Sequence, residues 1–186
     1  MSQADQARWD KKWADWSAQT SALPPPHPLL PAHAAHLCGG LALDVACGLG
    51  QNSIWLATRG YRVLAVDASL TALRIAAAAA QQQSATRQIA WVQLDLDEWV
   101  LPPAAFDLIC VFRFLDRRLF PQLRRALKPG GLLFYETRHT GALAAAPQSN
   151  PAYLLHPGEL AAAFAGWEFL WNKEGAENAA LIARKR

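Results

Sequence analysis

The stretch Leu43-Asp44-Val45-Ala46-Cys47-Gly48-Leu49-Gly50-Gln51-Asn52 decides how the chain is read. It starts as an apolar strand-like run, passes through two closely spaced glycines, and opens a helical pattern that continues from Asn52 to Arg59. Glycines at that point let the backbone turn sharply and let a ligand approach main-chain N–H groups that a side chain would shield. A tight turn without any ligand would use the same residues, so the glycines alone settle nothing. The next strand, Arg62 to Asp67, ends in an aspartate about twenty residues after Gly48, where a carboxylate can accept hydrogen bonds from both hydroxyls of a ribose. Asp67 could equally cap the helix that starts after Ala68-Ser69. Turn and aspartate together, at the ends of a first and a second strand, describe a crevice for a nucleoside-containing ligand.

Outward from this centre, strand-like and helix-like segments alternate. A helix from about Leu70 to Gln83 absorbs the alanine- and glutamine-rich tract, since both residues are good helix formers. Strands are expected at Leu41 to Ala46, Ile89 to Leu94, Phe106 to Phe112, Gly131 to Glu136, Trp167 to Trp171 and Ala179 to Arg184, with helices over Leu119 to Leu127 and Gly158 to Phe164. Repeated strand-helix-strand units favour an α/β fold with a mostly parallel sheet and helices on both faces. The interval from Thr137 to Pro157 has the composition of a long loop, the kind that carries function. Towards the start, Trp9, Trp13 and Trp16 share one face of a helix spanning residues 5 to 19, and the proline-rich Leu23 to Pro31 reads as a stiff connector. The expected organisation is therefore one domain over 1–186, with 1–36 as helix and lead-in and 37–186 as the core.

The spacing also bears on the ligand. A dehydrogenase fingerprint sets three glycines around a pyrophosphate, whereas this chain has Ala46, Gly48, Gly50 and then Ser53. Asp44, at the carboxyl end of the strand, would repel a pyrophosphate and could attract a cationic ammonium or sulfonium. Both points favour S-adenosylmethionine over a nicotinamide dinucleotide.

Composition narrows the setting. Of 186 residues, 52% are hydrophobic and 18% charged, enough to bury a sizeable core. Charged residues among the first sixteen, Asp5, Arg8, Asp10, Lys11, Lys12 and Asp15, are unlike a signal peptide, and polar residues interrupt every apolar run well short of a membrane span. Cys38, Cys47 and Cys110 form neither a disulfide framework nor a CxxC pair, and His27, His33 and His36 lack an acidic partner at ligand spacing, so no metal is expected. A net charge of +3, spread along the chain without an aromatic stacking module, does not argue for nucleic acid. The expectation is a cytoplasmic protein, monomer or weak homodimer, with a small molecule as its partner.

With those residues in view, the chain resembles the class I S-adenosylmethionine-dependent methyltransferases, more narrowly the small tellurite-resistance-type or type 11/12 enzymes. The likeness rests on Leu43 to Gly50, Val66-Asp67-Ala68-Ser69, Asp95-Leu96-Asp97, Phe106-Asp107-Leu108-Ile109 and Leu127-Lys128-Pro129-Gly130-Gly131-Leu132-Leu133. It implies a Rossmann-like, doubly wound sheet of seven strands, the last antiparallel, with the cofactor across the carboxyl ends of the first strands. It further implies that Asp67 holds the ribose, that Gly48 and Gly50 pass beneath the methionine part, that Asp95, or else Asp97, bonds the adenine amino group, and that the Leu96 amide faces the ring. Asp44, Ala46 and Ala68 complete the cofactor set, and Phe112 and Arg113 fall where the family places groups beside the methyl donor. Two other readings stand there: Phe112 and Phe114 as core, and Arg113 paired with Asp116. The opening Trp9-Asp10-Lys11-Lys12-Trp13 resembles a short helix that can lie over the cofactor cleft; three tryptophans closing the sheet edge is the alternative. Asn150 to Leu160 resembles a segment following the loop near the acceptor.

Methyl transfer from a sulfonium is an in-line displacement, so a general base is optional. A thiolate or chalcogen oxyanion needs none, whereas an amine or hydroxyl would gain from one. The candidates are His139, His156 and Glu136. The fourth strand ends in Val111-Phe112-Arg113-Phe114 and not in an Asn/Asp-Pro-Pro-aromatic loop, which disfavours an adenine base as acceptor. The alternative is a regulatory protein that binds the cofactor without turnover.

Overall fold

The computed structural model describes residues 3–20, 22–83, 86–97 and 99–186, in two compact units, Met1–Val100 and Leu101–Arg186. The first unit runs α1 (Gln3–Gln19), α2 (Leu29–Ala32), a 3-10 turn at Ala34–His36, β1 (Gly40–Val45), α3 (Gln51–Ala57), β2 (Tyr61–Asp67), α4 (Leu70–Gln82) and β3 (Ile89–Gln93). The second runs β4 (Phe106–Phe112), α5 (Leu119–Ala126), β5 (Leu127–Arg138), 3-10 turns at Thr140–Ala144 and Pro151–Tyr153, α6 (Glu159–Ala163), β6 (Glu168–Glu174) and β7 (Asn178–Arg184).

β2 pairs parallel with both β1 and β3, and β4 pairs parallel with β5. β7 alone runs against its neighbours β5 and β6. By hydrogen-bonded neighbours the seven strands read β3-β2-β1-β4-β5-β7-β6, the expected mostly parallel sheet with an antiparallel last strand. Ala42, Leu43, Asp44 and Val45 of β1 are all buried, as happens to a parallel strand covered on both faces. Among the described residues no helix is long and apolar enough to cross a membrane.

Most elements lie within a residue or two of expectation; β6 runs three residues past Trp171 to Glu174, and β5 departs most. It begins at Leu127, not Gly131, because the Gly130 N–H donates to the Lys185 carbonyl and the Lys185 N–H to the Gly131 carbonyl, so the glycine pair is drawn into pairing with the chain end. Lys128 reaches both oxygens of Asp107 at 2.8 and 2.9 Å, so these two motif residues serve as an ion pair between β4 and β5. β5 also continues to Arg138, opposite Asn178 of β7, and the segment after it is tied down. Leu155 bonds back to the Arg138 carbonyl, and Thr140 to that of Leu155. The expected long loop is thus an ordered return, stitched by main-chain bonds its composition did not announce.

Candidate functional site

The glycine turn is built on left-handed backbone. Ala46, Gly48 and Gly50 have φ of 53°, 54° and 71°, and the turn is closed by Cys47 N–H to the Val66 carbonyl and Gly50 N–H to the Cys47 carbonyl, each 3.0 Å. An L-residue with a Cβ in this region costs about 1–2 kcal/mol, which is carried here by Ala46. Ala46→Gly is expected to raise stability by about 0.5–1 kcal/mol, after the unfolded-state entropy of glycine is discounted. A urea unfolding midpoint unchanged or lowered would show that the strain is absent.

β2 delivers Asp67 to the same turn. One carboxylate oxygen accepts from the Gly48 N–H at 2.8 Å, the other from the Ser69 N–H at 2.9 Å. Burial nevertheless raises its pKa, partly offset by these backbone bonds. Ser69 is the true N-cap of α4, its hydroxyl accepting from the Ala72 N–H. Asp67 shapes the turn before that cap while still facing the glycines. Asp44 is fully buried, 1% exposed, with the Ser53 hydroxyl donating to it at 2.6 Å. Desolvation, with the Asp67 charge adding to it, pushes its pKa up to about 7 against the Ser53 hydrogen bond.

Beyond β2 and β3, a cavity of about 210 Å³ is lined by Gln6, Ala68, Gln93, Leu94 and Asp95. The Gln93 side-chain amide donates to the Ala68 carbonyl, and the Leu94 N–H to the Asp67 carbonyl, so the wall is fastened to the Asp67 turn. Asp95 accepts from the Asp97 N–H at 3.0 Å, which turns the chain there; Leu96 is buried and Asp97 exposed. Asp44, Ala46, Gly48, Gly50, Asp67, Ala68, Asp95 and Leu96 therefore all lie in the first unit, and of them Ala68 and Asp95 line this cavity.

In the second unit, Phe112 is 8% exposed at the end of β4. Arg113 follows with φ 57°, its N–H bonded to the Glu136 carbonyl and its side chain exposed. Such backbone in a non-glycine residue is strained, and strain of this kind gathers at functional sites. Asp116 bonds Arg118, at 2.9 and 3.0 Å, and not Arg113. His139 is 8% exposed and both ring nitrogens are engaged: Nδ1 accepts from the Gly141 N–H and Nε2 faces the Gly175 carbonyl, each at 2.9 Å, which assigns the proton to Nε2. His156 is exposed, with its N–H on Glu159.

Several contributors were not singled out from sequence. Asn52 accepts the His27 N–H at 2.7 Å, pinning the proline-rich lead-in to α3. Arg117 bonds both oxygens of Glu159 and the carbonyls of Ala152 and Leu154, clamping the segment before α6. Asp10 of α1 takes the Ser69 hydroxyl at 2.5 Å and the Thr71 N–H at 3.1 Å. A Ser two residues after a strand-end Asp was a legible cap signal; a partner about sixty residues away in sequence was not.

Against known proteins, the family described as "Methyltransferase domain" matches residues 42–131. The match takes in β1, the glycine turn, Asp67, the Asp95 loop and β4. Over these residues, just under half of the chain, it matches a methyltransferase domain of the class I S-adenosylmethionine-dependent type. S-adenosylmethionine is the cofactor of that family. Ubiquinone biosynthesis O-methyltransferase of Idiomarina loihiensis is 32% identical over 111 residues, 56% of this chain and 45% of the relative. The chain spans about half the length of the curated relatives it matches. TehB from Haemophilus influenzae superposes with a TM-score of 0.77 at 19% identity, covering 90% of this chain and 64% of TehB. The cyclase SpnF does so with a TM-score of 0.75 at 18% identity, over 97% and 94% of the two chains. At those identities both structures speak for the methyltransferase fold and not for an acceptor.

Proposed function

We propose that the protein transfers a methyl group from S-adenosylmethionine to a small-molecule acceptor, either a soft thiol or chalcogen oxyanion or a small aromatic or amine. The observation that carries this reading is Asp67, held by the Gly48 and Ser69 amides beside the cavity lined by Ala68 and Asp95. A carboxylate fixed in that way keeps lone pairs for a ribose diol, and the residues around it fit the cofactor. Gly48 and Gly50 would run beneath its amino-acid part, Asp95 and the Leu96 amide would meet the adenine, and ionised Asp44 would favour its positive charge. When bound, the cofactor supplies an electrophilic methyl on a sulfonium. The protein's task is to hold donor and nucleophile about 3–3.5 Å apart and exclude water.

The engagement of both His139 nitrogens supports an acceptor that is nucleophilic without a protein base. Exposed Arg113 suits an anionic acceptor, with Glu136 and His156 in reserve for one that must lose a proton. The same feature of His139 favours, as the second reading, a cofactor-binding protein without turnover; consumption of S-adenosylmethionine with any member of an acceptor panel would exclude it. Cys38, Cys47 and Cys110 stand outside any disulfide, which suits a reducing cytoplasm.

Calorimetric titration with S-adenosylhomocysteine tests the cofactor site. Micromolar binding to the wild type is expected, weakened at least about 100-fold by Asp67→Ala, since two charge-assisted bonds are lost. Binding that survives the substitution in a folded variant would refute the assignment of Asp67.

A further inference from the structure

We propose that the first unit carries a second small-molecule site, between α3 and the proline-rich lead-in, which takes a flat, uncharged heteroaromatic ligand through a ring N–H. The inference stands on residues that the cofactor reading does not use.

Pro24, Pro25 and Pro26 face Gln51 and Trp55 of α3 and its C-cap Thr58 across a cavity of about 230 Å³. Gln51, Trp55 and Thr58 are spaced four and three apart, which sets them on one face of the helix. This cavity shares no lining residue with the one beside Ala68 and Asp95. Its walls are held before any ligand arrives. Asn52, next to Gln51, accepts the N–H of His27, next to Pro26, at 2.7 Å, so the proline run is fastened to the helix it faces. Successive prolines have fixed φ and little backbone freedom left to lose on binding. On α3 the Arg59 guanidinium lies 4.0 Å from the centroid of the Trp55 ring and restrains the indole.

The lining selects the ligand. It contains no charged residue, so a buried cation or anion would gain no partner there. Prolines present carbonyls and no N–H, and Thr58 spends its hydroxyl proton on the Trp55 carbonyl at 2.7 Å. Gln51 adds an acceptor in need of a donor. Its side-chain Oε1 is buried and, among the described residues, has no hydrogen-bond partner. An acceptor kept from water without a donor costs free energy that a ligand N–H would recover. The terminal torsion of a glutamine is soft, so the oxygen can turn to meet that donor. Proline rings and the Trp55 indole are flat apolar surfaces, suited to an aromatic ring. The volume lies below the roughly 300–1,000 Å³ of a drug-sized pocket, which fits a single bicyclic ring.

Indole and 1-methylindole, alike in shape but differing in the N–H, are the probes, titrated into the full chain by ligand-observed NMR. Indole is expected to bind with a Kd below about 1 mM, and 1-methylindole at least about fivefold more weakly. Gln51→Leu gives up no protein hydrogen bond at Oε1, so it should keep the wild-type urea midpoint while binding the two probes equally. Trp55→Ala should weaken both about fivefold. Saturating S-adenosylhomocysteine should leave indole affinity within about twofold, as for independent sites. No saturable binding of indole up to about 5 mM would overturn the proposal and leave water as the occupant of the cavity. A preference for indole that survives in Gln51→Leu would overturn the assigned N–H contact, and displacement of indole by S-adenosylhomocysteine would place the probe in the cofactor site instead. Failure of the wild type to bind S-adenosylhomocysteine would bear on the cofactor site alone.

Discussion

Asp44→Asn is expected to stabilise the fold at neutral pH and to weaken the cofactor, two effects of opposite sign from one buried carboxyl. Its pKa of about 7 stands about three units above its value in an unfolded chain. Between those values the native state holds a proton that the unfolded state has lost. The stability tied to the protonated carboxyl is therefore fully present below about pH 4, falls as pH rises, and is gone above about pH 7. At 1.36 kcal/mol per unit this is on the order of 2–4 kcal/mol, which an amide that never ionises retains, still accepting the Ser53 hydroxyl. Urea unfolding at pH 4 and pH 8 should show the variant's advantage growing with pH; parallel shifts at both would contradict it. Binding runs the other way, because the ionised carboxyl is the form that attracts a sulfonium. Wild-type affinity for S-adenosylmethionine should climb by up to about tenfold per pH unit below pH 7 and then level, whereas the variant should bind weakly at every pH.

The second large effect is expected at Gly50. Its φ of 71° is left-handed, and a Cβ there would overlap the Trp91 ring and stand 2.8 Å from the Ala76 Cβ. Gly50→Ala combines the left-handed penalty with overpacking between β3 and α4, together about 2–5 kcal/mol. Gly60 provides the control, since its φ is 83° but a Cβ would meet nothing within 4 Å. Gly60→Ala should cost only the backbone penalty of about 1–2 kcal/mol. Equal unfolding midpoints for the two variants would show that Trp91 and Ala76 yield without cost.

These two glycines mark how far sequence reading reaches. That Gly50 ends a strand and opens a helix followed from the local pattern, because turn chemistry is a property of a few consecutive residues. That Gly50 tolerates no methyl group depends on Trp91 and Ala76, which lie in other elements. Asp67 was found for the same local reason, and its ties to Gly48 and Ser69 complete a picture that residues 43–69 already outlined. His139 shows the reverse. In sequence it reads as a candidate base at the end of a strand, and it becomes a buried turn-forming residue once the Gly175 carbonyl, 36 positions away, is brought to it.

By itself, then, the sequence determined the alternation of strands and helices, the parallel sheet, the glycine turn and the acid at the end of β2, since each is written in residues close together in the chain. Tertiary structure alone decided the raised pKa of Asp44, the start of β5, the engagement of both His139 nitrogens and the docking of α1 on Ser69 and Gly48. Those depend on desolvation and on bonds between distant segments, and both arise only when the chain has closed on itself.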